Sequence, residues 1–386
     1  MLNDILTAED LTQVTALRHA LHRIPEVSGD EARTAAAVVA ALPHPDQVLT
    51  GLGGHGVAAV YRGAAPGPTV LLRAELDALP IRDLSGAAHA SARPGVGHQC
   101  GHDGHTAILL GVARHLARVP PARGRVVLLF QPAEETGAGA AGVLADPRFA
   151  RIAPDWAFAI HNMPGLPLGV AELPPGPASC ASCGVRVAFS GQTSHAAQPE
   201  LARSPAQAIA RLVPALLALG PGGDPWAPPA PGFRLVTVSH LAMGAPAFGI
   251  TPGAGEVWLT VRALLDADLE DLLEQVAALA GAAARDHGLG IEITWHEHFA
   301  AGANDAAAVG HLARAMAAAG IAVRPGAPMR PSEDFGRFGA VAPIALAFLG
   351  AGEDCPPLHA EAYDFPDALI APGVRMFAAL VRDLLG

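Results

Sequence analysis

The chain has 386 residues, of which 51% are apolar and 16% charged, a composition that can bury a large core and excludes an extended disordered protein. That length exceeds one ordinary core and implies two domains. With 25 Lys and Arg against 36 Asp and Glu, the net charge of −11 lacks the basic footprint of a duplex-binding protein, so no nucleic-acid partner is expected.

No stretch offers ~18 apolar residues free of charge, Gly and Pro, so no membrane span is expected. The opening "MLNDILTAEDLTQ" is acidic and has no basic segment followed by an apolar one, and is read as carrying no secretory signal. Four cysteines (Cys100, Cys180, Cys183, Cys355) in such a chain fit a reducing, cytoplasmic setting. There they serve as ligands, nucleophiles or small core residues rather than disulfides.

Helices are predicted over "LTQVTALRHALHRI" and "SGDEARTAAAVVAAL", followed by strands over "GVAAVYRG" and "TVLLRAELDALP". "GLGGHG" (51–56) matches G-x-G-x-x-G, but a strand-like "VAAVYRG" follows where a phosphate-binding helix is required. It reads as a glycine turn entering a strand, not as a dinucleotide site. The helix "HTAILLGVARHLARV" comes next, with Asp103 as its expected N-cap. "GRVVLLFQPAEE" and "PDWAFAIHNMPG" return to short apolar strands. Continuous apolar runs mark strands covered on both faces, as in a mostly parallel sheet flanked by helices.

Between 180 and 297 the rhythm changes. "GVRVAFSGQ", "FRLVTVSHLAM", "GEVWLTVRALL" and "LGIEITWHEHF" read as strands, with helices over "SPAQAIARLVPALLALG" and "DADLEDLLEQVAALAGAAARDHG". The order β-α-β-β-α-β is the ferredoxin-like unit. A helix, a strand ("APIALAFLG") and a final helix then resume the first rhythm. The fold class expected is α/β: a catalytic domain of residues 1–179 and 298–386, interrupted by a ferredoxin-like α+β domain of residues 180–297. "LGPGGDPWAPPAPG" (219–232) reads as a loop.

Ligands collect at the carboxyl ends of parallel strands in open α/β sheets. "TVLLRAELD" delivers Glu75 and Asp77 there, "VVLLFQPAEE" delivers Glu134 and Glu135, and "WAFAIHN" delivers His161. "PIALAFLG" leads to His359, and "GHQCGHDGH" places Cys100 and His102 just before a helix. Each has a bland alternative, a hydrogen-bonded histidine or a solvated acidic edge. Five segments converging on one edge favour a joint metal site. The pair "CASC" (180–183) has no partner pair and reads as core packing rather than structural zinc. Carboxylate, imidazole and one thiolate together suit two divalent ions ~3.5–4 Å apart that polarise a carbonyl and acidify a water. One carboxylate must stay free as base, and adjacent Glu134 and Glu135 offer that division.

At this point the chain resembles the metal-dependent aminoacylase and amidohydrolase family that includes hippurate hydrolase and the indole-acetyl-amino-acid hydrolases. The resemblance runs through "LRHALHRIPE", "LLRAELDALPI", "HQCGHDGHTAILLG", "FQPAEE", "AIHNMPGLPLG", "SGQTSHAAQP", "SEDFGRF" and "LHAEAYDF". It implies a zinc-peptidase-like catalytic domain with an inserted lid. Cys100 would bridge two metals, His102, Glu135, His161 and His359 would complete their shells, and Glu134 would be the general base. His195, which from the residues alone is equally a loop histidine, would bind the substrate carbonyl from the lid, often across a dimer. Asp77 would orient a ligand histidine, His98 and His105 would flank the ligands, and His19 and His22 read as structural. Zinc or manganese is the expected ion, with cobalt or nickel as alternatives.

The resemblance further implies a homodimer or higher homo-oligomer through the lid, and a small N-acyl amino acid or related amide as substrate. Dipeptide, carbamoyl or acetyl-diamino-acid hydrolysis stands as the alternative within the superfamily, and a metal-binding sensor as the alternative outside it. Two departures bear on recognition of the amino-acid end. Gly249 stands where relatives commonly have asparagine, and Ser204 where they have aspartate.

Overall fold

The computed structural model describes residues 5–225 and 227–386. Met1–Asp4 of the acidic opening segment and Trp226 of the Pro/Gly-rich stretch lie outside the described residues. In chain order, α1 (Ala8–Arg23) and α2 (Ala32–Ala41) precede β1 (Gln47–Leu52), β2 (Gly56–Arg62) and β3 (Ala65–Glu75). Next come α3 (His102–Arg118), β4 (Arg123–Gln131), α4 (Gly139–Ala145), β5 (Trp156–Pro164) and β6 (Ala171–Leu173). They are followed by β7 (Ala181–Ser190), α5 (Ala206–Leu219), β8 (Arg234–Met243), β9 (Ala254–Ala263), α6 (Asp266–Asp286) and β10 (Gly290–Phe299). The chain ends with α7 (Ala306–Ala318), β11 (Val323–Pro325), β12 (Ile344–Gly352) and α8 (Ile370–Leu385).

The chain divides into two compact units. One comprises the chain up to Ala178 with Gly302–Ala327 and Glu333–Gly386; the other comprises Ser179–Ala301 with Pro328–Ser332. Among the described residues no helix is long and apolar enough to cross a membrane.

The first unit is built on an eight-stranded mixed sheet in the order β1-β2-β4-β3-β5-β12-β6-β11. Its centre, β4-β3-β5-β12, is parallel. Val126–Phe130 of β4 and Val70–Leu72 of β3 are fully buried, which is why these segments read as unbroken apolar runs. From β3 the chain crosses through α3 to β4 on one side, then through α4 to β5 on the other. Reversal of strand order about β3 opens a crevice at the carboxyl ends of these strands. The α/β class agrees with the expectation from the sequence.

"GLGGHG" closes an antiparallel hairpin between β1 and β2, so β1 is a strand that the sequence pattern did not reveal. A further correction concerns α3. Asp103 is not its cap; it lies in the first turn, and the helix starts from Gly101 with φ 91° and no side-chain cap. A Cβ at Gly101 would stand 2.5 Å from Asn162 Oδ1 and 2.8 Å from the Tyr363 hydroxyl, so only glycine fits there. By contrast α1 has a full capping box, Thr7 and Asp10 each accepting the other's backbone N–H at 3.0 and 3.1 Å.

The second unit is a four-stranded antiparallel sheet in the order β8-β9-β7-β10, carrying α5 and α6 on one face. Val185, Val187 and Phe189 of β7 alternate into a core shared with Leu212, Leu216, Leu272 and Val276. Cys180 and Cys183 are buried free thiols.

The turn that follows β4 depends on Gly139. A Cβ there would lie 1.8 Å from the Pro132 carbonyl oxygen, a backbone atom with no room to retreat. Gly139→Ala is therefore expected to destabilise the protein by about 1–3 kcal/mol although alanine is the better helix former. An unchanged denaturation midpoint would contradict this packing.

Candidate metal centre

Each element of the parallel sheet ends by presenting a polar side chain to the same crevice. His161 lies near the end of β5, and its Nε2 is 3.4 Å from Cys100 Sγ, just before α3. His102 opens α3, with its Nε2 3.7 Å from Glu135 Oε1 and 3.9 Å from Glu134 Oε2 on the turn after β4. His359, in the loop after β12, brings its Nε2 to 3.6 Å from Glu135 Oε2. Potential ligand atoms of Cys100, His102 and His161 lie within 4.8 Å of one another, as do those of Cys100, Glu135 and His359 and those of His102, Glu134 and Glu135. Glu135 is thus shared between groups, and so is Cys100.

The hydrogen bonds decide which histidine nitrogens are free. His102 Nδ1 donates to the Asp77 carbonyl oxygen at 2.9 Å and faces the Asp77 carboxylate at 3.4 Å. His161 Nδ1 donates to the Asn162 carbonyl at 2.8 Å. Both rings are therefore held with a bare Nε2 turned toward the cluster. His105 is the opposite case. Its Nδ1 donates to Glu75 at 2.6 Å and its Nε2 accepts the Asn162 N–H at 3.2 Å, so both nitrogens and Glu75 are committed.

Buried polar atoms normally have partners. His102 Nε2, Glu135 Oε1 and Asp77 Oδ1 are buried without one. In the metal-free protein burial pushes Cys100 well up, with Glu135 and Glu134 adding to it. Burial with Glu333 and Glu135 lifts Glu134 well above the usual carboxylate range, and burial raises Glu135 to about 7. Burial opposes charge on His102, but Asp77 and Glu135 outweigh it and raise its pKa. His161 is pushed down to about 3 by burial and His105. A divalent cation reverses each penalty on thiolate and carboxylate, and thiolate, imidazole and carboxylate are the donors that zinc-like ions accept. The donor set fits a metal centre.

Several supporting residues escaped the sequence pattern. Ser28 Oγ donates to Asp77 Oδ2 at 2.7 Å, and the Glu135 N–H donates to the same oxygen at 2.9 Å, so Asp77 ties His102 to the glutamate turn. Buried Glu31 accepts the Ala133 N–H at 2.8 Å, holding Ala133 at φ 51° immediately before Glu134. His359 is likewise left-handed, at φ 64°. Non-glycine residues in this region store strain that recurs at functional sites. Beneath the cluster, Arg73 donates to Glu333 at 2.9 Å and Asp334 at 2.7 Å and also pairs with Glu75. The Asp334 N–H lies 3.4 Å from Glu134 Oε1. An arginine inside the apolar run "TVLLRAEL" was the available signal, since a fully buried charge requires partners.

His195 lies on the second unit, exposed, in a two-residue strand paired with Ile250–Thr251. The Ala197 N–H donates to its Nδ1 at 3.0 Å, which leaves Nε2 as the donor of the neutral ring. Gly249 is exposed beside it, and a Cβ there would meet nothing within 4 Å. Ser204 Oγ accepts the Ala206 N–H at 3.3 Å where α5 begins. His98 is buried with both ring nitrogens unpartnered, and burial pushes it to about 4. His19 and His22 bind acids, Asp367 at 2.7 Å and Asp103 at 2.8 Å respectively.

Residues 71–383 match the family described as Peptidase family M20/M25/M40. The chain is 31% identical over 366 residues to the N-acetyl-L-cysteine deacetylase of Bacillus subtilis, covering 91% of this chain and 86% of that protein. It is 30% identical over 374 residues to the hippurate hydrolase of Campylobacter jejuni, covering 96% of each. Its fold is similar to that of the Bacillus subtilis YXEP protein, described as a dinuclear metal binding peptidase from the M20 family. The TM-score is 0.80 at 24% identity, over 98% of this chain and 99% of that one. With a family match over residues 71–383 and relatives matching along nearly its whole length, the chain belongs to peptidase family M20/M25/M40 and is a hydrolase of amide bonds.

Proposed function

We propose that this hydrolase cleaves small N-acyl amino acids to a carboxylic acid and an amino acid, with Glu134 as general base. The observation that carries the proposal is the pair of buried, partnerless donors His102 Nε2 and Glu135 Oε1, 3.7 Å apart, beside a second carboxylate, Glu134. A binding-only centre has no use for that spare base. Two divalent ions, zinc or manganese first, would be held by Cys100, His102, Glu135, His161 and His359, with Cys100 shared between them. When bound, such a pair polarises the scissile carbonyl and lowers the pKa of water.

The chain's own residues carry the protons. Glu134 takes one proton from the attacking water as the oxygen–carbon bond forms. It then delivers that proton to the amide nitrogen as the carbon–nitrogen bond breaks. Asp77 keeps the His102 ring oriented through Nδ1. His195, with Nε2–H as its donor, would stabilise the charge that develops on the carbonyl oxygen. In this reading the second unit is a lid and dimerisation domain, and the protein a cytoplasmic homodimer. The edge strand β10, with Ile291 and Trp295 partly exposed, supports the dimer. The N-acyl amino acid substrate is supported by the two relatives above, a deacetylase and a hippurate hydrolase.

Replacing the two glutamates separates their roles. Glu134→Gln is expected to keep its metal and lose ~10²–10⁴-fold in turnover on N-acetyl and N-benzoyl amino acids. Glu135→Gln is expected to lose metal as well, as read by elemental analysis. Near-normal turnover in Glu134→Gln would remove the base assignment.

His195→Ala is expected to lower turnover by ~10²–10³ with metal content intact. If His195 acts across a dimer, mixing Glu134→Gln with His195→Ala chains restores part of the activity. No loss of turnover in His195→Ala would end its assigned role.

A further inference from the structure

Outside the crevice, a cluster of ionisable groups surrounds Arg18 in α1. The guanidinium is fully buried and donates from Nε to Asp103 Oδ2 at 2.8 Å. One terminal nitrogen pairs with Asp364, and the other lies 3.3 Å from Asp367 and 2.7 Å from His89 Nε2. His22, Asp364 and His89 could hold a metal by their spacing, since their ligand atoms lie within 4.8 Å of one another. Arg18 already faces all three, with His22 Nδ1 3.3 Å away. The arginine occupies the place that a cation would take.

Its position in the chain matters more than its charge. Asp103 follows His102 directly, Asp364 lies on the loop that carries His359, and Asp367 opens the helical turn that follows that loop. That loop is attached to the Cys100 segment and also to β5 and α3. The His359 N–H donates to the Gln99 carbonyl at 2.9 Å, and the Asn162 amide donates to the Tyr363 hydroxyl at 2.6 Å. Phe365 packs edge-on to His105, and a Cβ at Gly104 would stand 2.4 Å from its ring. The His359 side chain itself is half exposed and strained at φ 64°, so little packing around the ring holds it in place.

We propose that Arg18 is a positioning residue of the metal centre. By gripping Asp103 on one segment and Asp364 and Asp367 on the other, it fixes the distance from Cys100 and His102 to His359. Arginine suits this task because its planar fork donates in several fixed directions at once, whereas a lysine ammonium is a single point charge. The proposal rests on the ligand assignment made above.

The test uses the full-length metal-free protein and Co²⁺ alone, reading the number of ions bound, their affinities by chelator competition, and the cobalt absorption spectrum. The principal variant is Asp364→Asn/Asp367→Asn, at side chains 29% and 36% exposed, which removes both of these charges from Arg18 and leaves Arg18 on Asp103. It is expected to bind one ion as the unmodified protein does and the other ~10–100-fold more weakly, with altered cobalt bands. Arg18→Lys, where it folds, is expected to do the same. Unchanged affinity for both ions in the double variant would overturn the proposal, and so would an equal loss of both. His359→Asn separates the two levels. If it loses one ion while the double variant keeps both, the positioning role alone falls; if it also keeps both, the ligand assignment falls and the proposal with it.

Discussion

The rule that buried polar atoms must be satisfied organises the crevice of the first unit. Cys100, His102, Glu134 and Glu135 are carried to the carboxyl edge of a sheet whose central strands are largely apolar, and there they leave water. Burial and mutual repulsion make the charged forms of the thiol and the two carboxylates costly, which is why Cys100 and both glutamates are pushed upward without a cation. A divalent ion relieves that cost, and it does so only if the lone pairs stay uncommitted. Asp77, Asn162 and Glu31 serve that end by occupying the other sides of the rings and the turn.

The same rule distinguishes the crevice from its neighbours. Glu75 and His105 satisfy each other, and Arg18 answers His22, His89 and Asp364, although by residue type and spacing each group resembles a metal site. Around Glu134 the pattern is again different. Arg73 absorbs Glu75, Glu333 and Asp334 beneath it, leaving Glu134 as the carboxylate for the proposed proton transfer.

Much of this is legible in the sequence, for identifiable reasons. The strands announce themselves because both faces are covered, and Cys100, His102, Glu134, Glu135 and His161 stand at their ends or beside them. The second unit is legible in its alternating β7 and β9. What the sequence conceals are pairings between distant segments. Arg18 with Asp364, Arg73 with Glu333 and Glu31 with Ala133 are set by tertiary packing, and no local pattern encodes them. Asp103 shows the limit most clearly. Its place before a helix suggests a cap, yet its carboxylate is bound to Arg18 and His22, and Gly101 starts the helix because no side chain fits there.

The central claim is that the partnerless donors of the crevice hold two divalent ions that share Cys100. Anomalous diffraction from crystals of the zinc- or manganese-loaded protein tests it most directly. Two peaks per chain, ~3.5–4 Å apart and both in contact with the Cys100 sulfur, are predicted. A single peak, or peaks at His22, His89 and Asp364 instead, would contradict it.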